Sequence, residues 1–233
     1  MNHFTFNGKS TRDFGLIVSG VSIYGAPSRK VEKVSVPGRN GDINIELGGF
    51  NNYIVRYDVS VTENFTAKAQ DIANWLLSSR GYSRLDDTYN ADSFRLASYY
   101  NQIDFTTSML YRYGTAPVEF DCHPQRFLLS GQTATRLPSS TYTLTNPTLQ
   151  PANPLIRIYG TGTVIVNDVE INVLNSTSYV DVDCEALQCY EGTTNRNNDV
   201  EVPVFPVLLA GDNLITYSGD VTRVDITPRW WKL

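Results

Sequence analysis

The chain has 233 residues, 41% of them hydrophobic, 12% aromatic and only 18% charged, enough apolar material for one large domain or two ordinary ones. With 19 basic against 24 acidic side chains the net charge is −5, so there is no basic excess to neutralise phosphates and nucleic-acid binding is disfavoured. No run approaches 18 consecutive apolar residues, which argues against a membrane-spanning helix. The opening Met1 to Gly8 lacks the basic and apolar regions of a signal peptide, so none is expected there.

In chain order, residues 31–36 and 53–61 alternate with a period of two, and Tyr53, Val55, Tyr57, Val59 and Val61 share one face, the mark of a half-buried strand. Between these runs lies Val36-Pro37-Gly38-Arg39-Asn40-Gly41-Asp42. Pro37 presets φ and two glycines permit positive φ, so a hairpin or long loop is predicted. One helix is predicted over 66–80. Asn64 or Thr66 would cap its start, and Ala69, Ile72, Ala73, Leu76 and Leu77 would form its apolar stripe, with Trp75 at the border and Gly81 as the residue past its end. Strand character returns from Tyr82 to Leu85, with a turn at Asp86-Asp87, then from Phe94 to Ile103. A last strand, Val118 to Cys122, should end at Pro124, which has no N–H to give a ladder.

The composition then shifts. Residues 130–154 are rich in Thr, Ser, Asn, Gln and Pro, which sets a domain boundary within 126–130 and divides the chain into 1–127 and 128–233. The second part reads as strand and turn throughout. Thr163 to Val166 meets Val169 to Asn172 across Asn167-Asp168 as a short hairpin, and residues 179–183 and 221–226 alternate. Short strands without a helix predict an antiparallel β-sandwich of about 100 residues. The fold class is mainly β, with an α+β first domain and an all-β second.

Little chemistry is expected of these residues. His3 and His123 have no partner at metal-ligand or triad spacing. Cys184 and Cys189 offer two of the four ligands a zinc site needs, so small buried side chains are expected. Together with Cys122 they are too few for a disulfide framework, which suits a protein kept in a reducing cytoplasm until assembly. Asp181, Asp183 and Glu185 would point the same way and could be paired carboxylates of a glycosidase, but alternation alone places acids so, and a solvated strand face is the expectation. Gly160-Thr161-Gly162 precedes no helix and is a strand turn, not a nucleotide fingerprint. No cofactor, metal or catalytic residue is expected.

An ordered set of segments runs through the whole chain. It comprises Phe4-Thr5-Phe6-Asn7-Gly8, Val36 to Gly41, the helix end Trp75-Leu76-Leu77, Tyr82-Ser83-Arg84-Leu85, and Val118 to Cys122 before Pro124. Further on come Leu144-Thr145-Asn146-Pro147, Asn153-Pro154-Leu155-Ile156, Tyr159-Gly160-Thr161-Gly162, Gly211-Asp212-Asn213, Ser218-Gly219 and Pro228-Arg229-Trp230-Trp231. This order resembles the distal tail protein family of long-tailed, non-contractile phages, especially those of Gram-positive hosts. The resemblance implies a first domain with a tail-tube-like β-fold and one flanking helix that builds a hexameric ring, and a galectin-like antiparallel β-sandwich after it. It also implies the virion tail tip as the location, with the tail tube protein, the tail-associated lysin or hub, the tape-measure protein and a receptor-binding protein as neighbours.

In such a ring the loop Pro37, Gly38, Arg39, Asn40 and Gly41 would face a neighbouring copy or the lumen. Arg229, Trp230 and Trp231 would anchor the last strand. The rival reading is a carbohydrate-binding adhesin acting through the second sandwich. Residues 126–233 contain no His, and their only Trp residues are Trp230 and Trp231, so the His-x-Asn-x-Arg strand of galectins is missing.

Overall fold

The computed structural model describes residues 2–21, 25–61, 64–108 and 113–233. Two compact units divide between Arg126 and Phe127, each with its own apolar core.

The first unit contains β1 (Phe4–Phe6), β2 (Lys9–Ser10), β3 (Leu16–Val21), β4 (Arg29–Val34), β5 (Ile43–Phe50), β6 (Tyr53–Val61), α1 (Phe65–Leu76), β7 (Ser83–Asp87), β8 (Ser93–Ser98), β9 (Thr106–Ser108) and all but the last two residues of β10 (Tyr113–Leu128). One antiparallel sheet runs in the order β2-β1-β7-β8-β10-β6-β3, and β9 also pairs with β10. Strand β6 is built as its alternation requires, with Val55, Tyr57, Val59 and Val61 buried in the core with Phe4, Phe6 and Phe120.

Helix α1 buries Phe65, Ile72, Trp75 and Leu76. Trp75 lies in the core rather than at the border of the stripe. Its Nε1–H donates to the Phe6 carbonyl at 3.0 Å, and its ring stacks on Phe14 at 4.6 Å. The helix is shorter than its periodicity predicts. Asn64 precedes it in a left-handed conformation and makes no side-chain cap; its carbonyl instead accepts from Ala67 and Lys68. Thr66 is already helical. At the far end the Ser78 N–H and hydroxyl both donate to the Trp75 carbonyl, closing the last turn. Leu77 is therefore exposed, and Gly81, although its φ is +95°, lies beyond the helix end.

Two further expectations fail in this unit. Asp86 and Asp87 are strand residues of β7, because Asp87 points into the core. Pro124 does not end β10, which continues to Leu128. The pairing of β10 with β6 stops at Cys122 opposite Tyr53, so beyond that point no N–H is owed to β6 and proline is tolerated.

The second unit packs two antiparallel sheets around one core. The strands of its two sheets are β11 (Thr135–Arg136), β12 (Thr141–Asn146), β13 (Leu155–Tyr159), β14 (Gly162–Val166), β15 (Val169–Val173), β16 (Val180–Asp183), β17 (Gln188–Glu191), β18 (Thr194–Asn195), β19 (Val200–Glu201), β20 (Gly211–Gly219) and β21 (Arg223–Thr227), and a short strand, β22 (Trp231–Lys232), follows them. The sheets run β11-β21-β13-β16-β17-β18 and β12-β20-β14-β15-β19. The hairpin of β14 and β15 turns through Asn167 and Asp168 at φ +47° and +68°, the left-handed pair that a two-residue loop demands. Gly160 and Gly162 form the predicted turn, and side chains there would collide with the backbone of Asp220 and Ser218. The chain is mainly β, with a single α-helix among the described residues.

Candidate assembly interface

Strands β4 and β5 form a two-stranded sheet of their own. Every residue from position 28 to position 49 is exposed, although this stretch is rich in strand-forming side chains. At its tip Val36-Pro37-Gly38-Arg39 makes a type II turn. The Arg39 N–H donates to the Val36 carbonyl at 3.2 Å, and Gly38 supplies the required positive φ of +82°. Pro37, Gly38, Arg39, Asn40 and Gly41 thus all sit at the end of an arm. The Arg39 guanidinium has no carboxylate partner among the described residues.

Alternation divides the arm into two faces. Val34 lies opposite Ile43, and Glu32 opposite Ile45; with Leu47 these residues share one side. Ile45 and Leu47 are 45% and 62% exposed. The other side carries Val31, Lys33, Asn44 and Glu46. The arm therefore has the patterning of a half-buried hairpin and, among the described residues, nothing that buries its apolar face. The run Ile43-Asn44-Ile45-Glu46-Leu47 was the available signal for β5. The turn and the run at 31–36 follow from the sequence, and β5 is a strand beyond that expectation.

Arg229, Trp230 and Trp231 lie in the second unit. Trp230 is buried, and its backbone packs so closely on Gly131 that no side chain could stand at Gly131. Its carbonyl accepts from the Leu128 N–H at 2.8 Å, and the Trp231 Nε1–H donates to the Pro151 carbonyl at 2.8 Å. Arg229, at φ +58°, forks onto Asp183 with N–O distances of 2.7 and 3.0 Å.

This pair corrects the picture of a solvated acidic face. Asp181 and Asp183 are both buried. Asp181 is held bidentately by Arg157 at 2.7 Å on both oxygens, and only Glu185 remains largely exposed. The Asp183 carboxyl lies at about 2 against an ordinary 3.8. Its hydrogen bonds from Arg229 are the main cause, opposed by burial and reinforced by the N–H groups of Ala186 and Glu185. A carboxyl lowered on folding stabilises the native state above its ordinary value, and that stabilisation disappears as pH falls through the folded value. The melting temperature of the second unit is thus expected to drop between pH 4 and pH 2. Arg229→Met should flatten that drop, and an unchanged profile would show the pair to be inert.

The remaining candidates are structural. Cys184 and Cys189 are free and buried, with burial raising their thiols to about 12 and about 11; Cys122 is likewise raised by burial to about 12. Protonated, buried thiols are poor nucleophiles and poor ligands. His123 meets the edge of the Tyr82 ring at 4.0 Å, and the His3 backbone is tied to Thr88. No group of three or more potential metal ligands occurs among the described residues, and no described helix is long and apolar enough to cross a membrane. Tyr159 of β13 and Tyr179, just before β16, each have a guanidinium over the ring. Arg223 lies over Tyr159 at 4.9 Å and Arg157 over Tyr179 at 4.2 Å, each guanidinium also forked onto an aspartate.

No protein-family model matches the chain, and no curated protein sequence matches it. Solved structures do. The Dit (gp19.1) protein of phage SPP1, presented as a paradigm of the hub adsorption apparatus in phages infecting Gram-positive bacteria, aligns over 100% of both chains with a TM-score of 0.75 at 13% identity. A chain of the phage p2 baseplate in its activated conformation with Sr aligns over 97% of each chain, with a TM-score of 0.50 and 9% identity. From end to end, the chain has the fold of the SPP1 Dit protein.

Proposed function

We propose that this chain is a non-enzymatic structural subunit of a phage tail tip, a distal tail protein whose copies close head to tail into a six-membered ring. The observation that carries the reading is the arm. A two-stranded hairpin is marginal in water by itself, and one with an uncovered row of Val34, Ile43, Ile45 and Leu47 invites pairing along its open edges. A neighbouring copy that receives this face buries the row and occupies a strand edge in one step. Repeated by rotation, the same contact closes a ring. The first domain, residues 1–127, would build that ring between the tail tube protein and the tail-associated lysin or hub, with the tape-measure protein ending inside it. The second, residues 128–233, would be a galectin-like platform for a receptor-binding protein. No specific observation favours the carbohydrate-binding adhesin, and the rings of Tyr159 and Tyr179 each already have a guanidinium over them.

The test is the mass of the assembly formed by the full chain, with tube and hub proteins supplied. Six copies of 26.1 kDa give a ring of about 157 kDa. Ile45→Asp together with Leu47→Asp should abolish the ring and change the melting temperature of the free chain little, since both side chains are exposed. A ring that survives both substitutions would remove the arm from the interface. A wild-type chain that makes no ring in any mixture would overturn the function.

A further inference from the structure

The base of the arm is clamped. The Asn51 N–H donates to the Ser28 carbonyl at 2.8 Å, and the Asn51 side-chain amide reaches Ser28 Oγ at 3.1 Å and the Arg29 carbonyl at 3.4 Å. Arg29 lies over the Phe50 ring at 5.3 Å and pairs with Phe50 across the strands. Further out, from Val31 opposite Glu46 to Val34 opposite Ile43, the ladder is regular. Between these two stretches the register jumps. Leu47, Gly48 and Gly49 on β5 stand against Lys30 alone, so β5 carries two extra residues. Gly48 and Gly49 both adopt left-handed φ, +76° and +73°, and no atom lies within 4 Å of where a Cβ would be on either. Crowding therefore does not call for glycine at these positions; the bend of the backbone does.

We infer that this double-glycine bulge is the elbow that aims the arm and thereby sets the number of copies that close the ring. The inference rests on the ring reading above and deepens it. A bulge bends its strand and increases local twist, so here a stiff outer ladder leaves a clamped base in a direction fixed by one irregularity. In a head-to-tail assembly the rotation from copy to copy decides whether the chain of contacts closes and after how many steps. That rotation is set where the apolar face meets its neighbour, and the bulge sets where the face points.

The register supplies a clean variant. Removing Gly48 and Gly49 places Leu47 opposite Lys30 and makes the ladder continuous from Arg29–Phe50 to Val34–Ile43, while every other pair keeps its partner and its face. The control is Gly8→Ala in the turn between β1 and β2, away from the arm, a position with equally positive φ (+78°) and equally open surroundings. Mass photometry and negative-stain imaging would be applied to full chains assembled as the wild type assembles. The expected result is loss of the wild-type mass peak in the deletion variant, replaced by another copy number, open arcs or unassembled chains, with the peak retained in Gly8→Ala. The inference is overturned if the deletion variant forms rings of wild-type copy number, or if both variants lose the peak together. Absence of rings from the wild type would count against the ring reading itself and is seen separately.

Discussion

Asp87→Ala is expected to destabilise the first unit by about 3–5 kcal/mol, the usual cost of breaking a buried ion pair by removing one partner. Arg95 is 1% exposed and is among the largest fully buried side chains of the molecule. Its Nη1 donates to Asp87 Oδ2 at 2.8 Å and its Nε donates to the Tyr53 hydroxyl at 3.0 Å. The Tyr57 hydroxyl donates to the same carboxylate oxygen at 2.8 Å, while Asn90 gives its backbone and side-chain N–H groups to the other. Burial alone would raise the Asp87 carboxyl. The bonds from Tyr57 and Asn90 and the charge of Arg95 outweigh it, so the group lies below its ordinary value. Tyr57, desolvated and beside that carboxylate, is raised well above its own. Removing the carboxylate strands a guanidinium in the core, where Arg95 Nη2 already has no partner among the described residues. The double change Asp87→Leu with Arg95→Met should recover most of the loss, because the desolvation cost of both charges then vanishes. Urea denaturation of the three chains decides it, and a single-variant loss below about 1 kcal/mol would show that water reaches the site.

Asn213→Leu is expected to cost at least about 3 kcal/mol, because several buried groups lose a partner at about 1–3 kcal/mol each. Asn213 is fully buried. Its Oδ1 accepts from the Leu209 N–H at 2.7 Å and from Asn167 Nδ2 at 2.6 Å, and its Nδ2 donates to the carbonyls of Leu144, Leu209 and Gly211 at 2.9–3.3 Å. One side chain thus joins β12, the Asn167 turn and the loop that enters β20. The substitution keeps the branched heavy-atom skeleton and removes the network; the bulkier methyl groups add to the cost. A loss comparable to that of an exposed substitution, measured by the same denaturation, would mean that water takes the place of the amide.

Local features came through from the sequence where a residue's own stereochemistry decides them. The turn at Pro37-Gly38, the hairpin at Asn167-Asp168, the strand face of Val55 to Val61 and the burial of Cys184 and Cys189 depend on fixed φ, permitted positive φ and side-chain polarity. These act over a few residues. The arm was half legible: its tip follows from Pro37 and Gly38, but the bulge at Gly48-Gly49 exists only relative to Lys30 on the facing strand. In β8, apolar Phe94 and Leu96 suggest the inward face, yet Arg95 and Ala97 are the ones that point into the core. A charged residue can do so only because β6 and β7 bring Tyr53, Tyr57 and Asp87 to meet it, from 42, 38 and 8 positions away. The same holds for Asp181 and Asp183, whose arginines arrive from β13 and from Arg229. Composition and periodicity determined the strand content, the turns and the class of the fold. Tertiary structure alone decided which charges are buried and which apolar face is left uncovered, because both depend on partners distant in the chain, and a buried charge is stable only once those partners are in place.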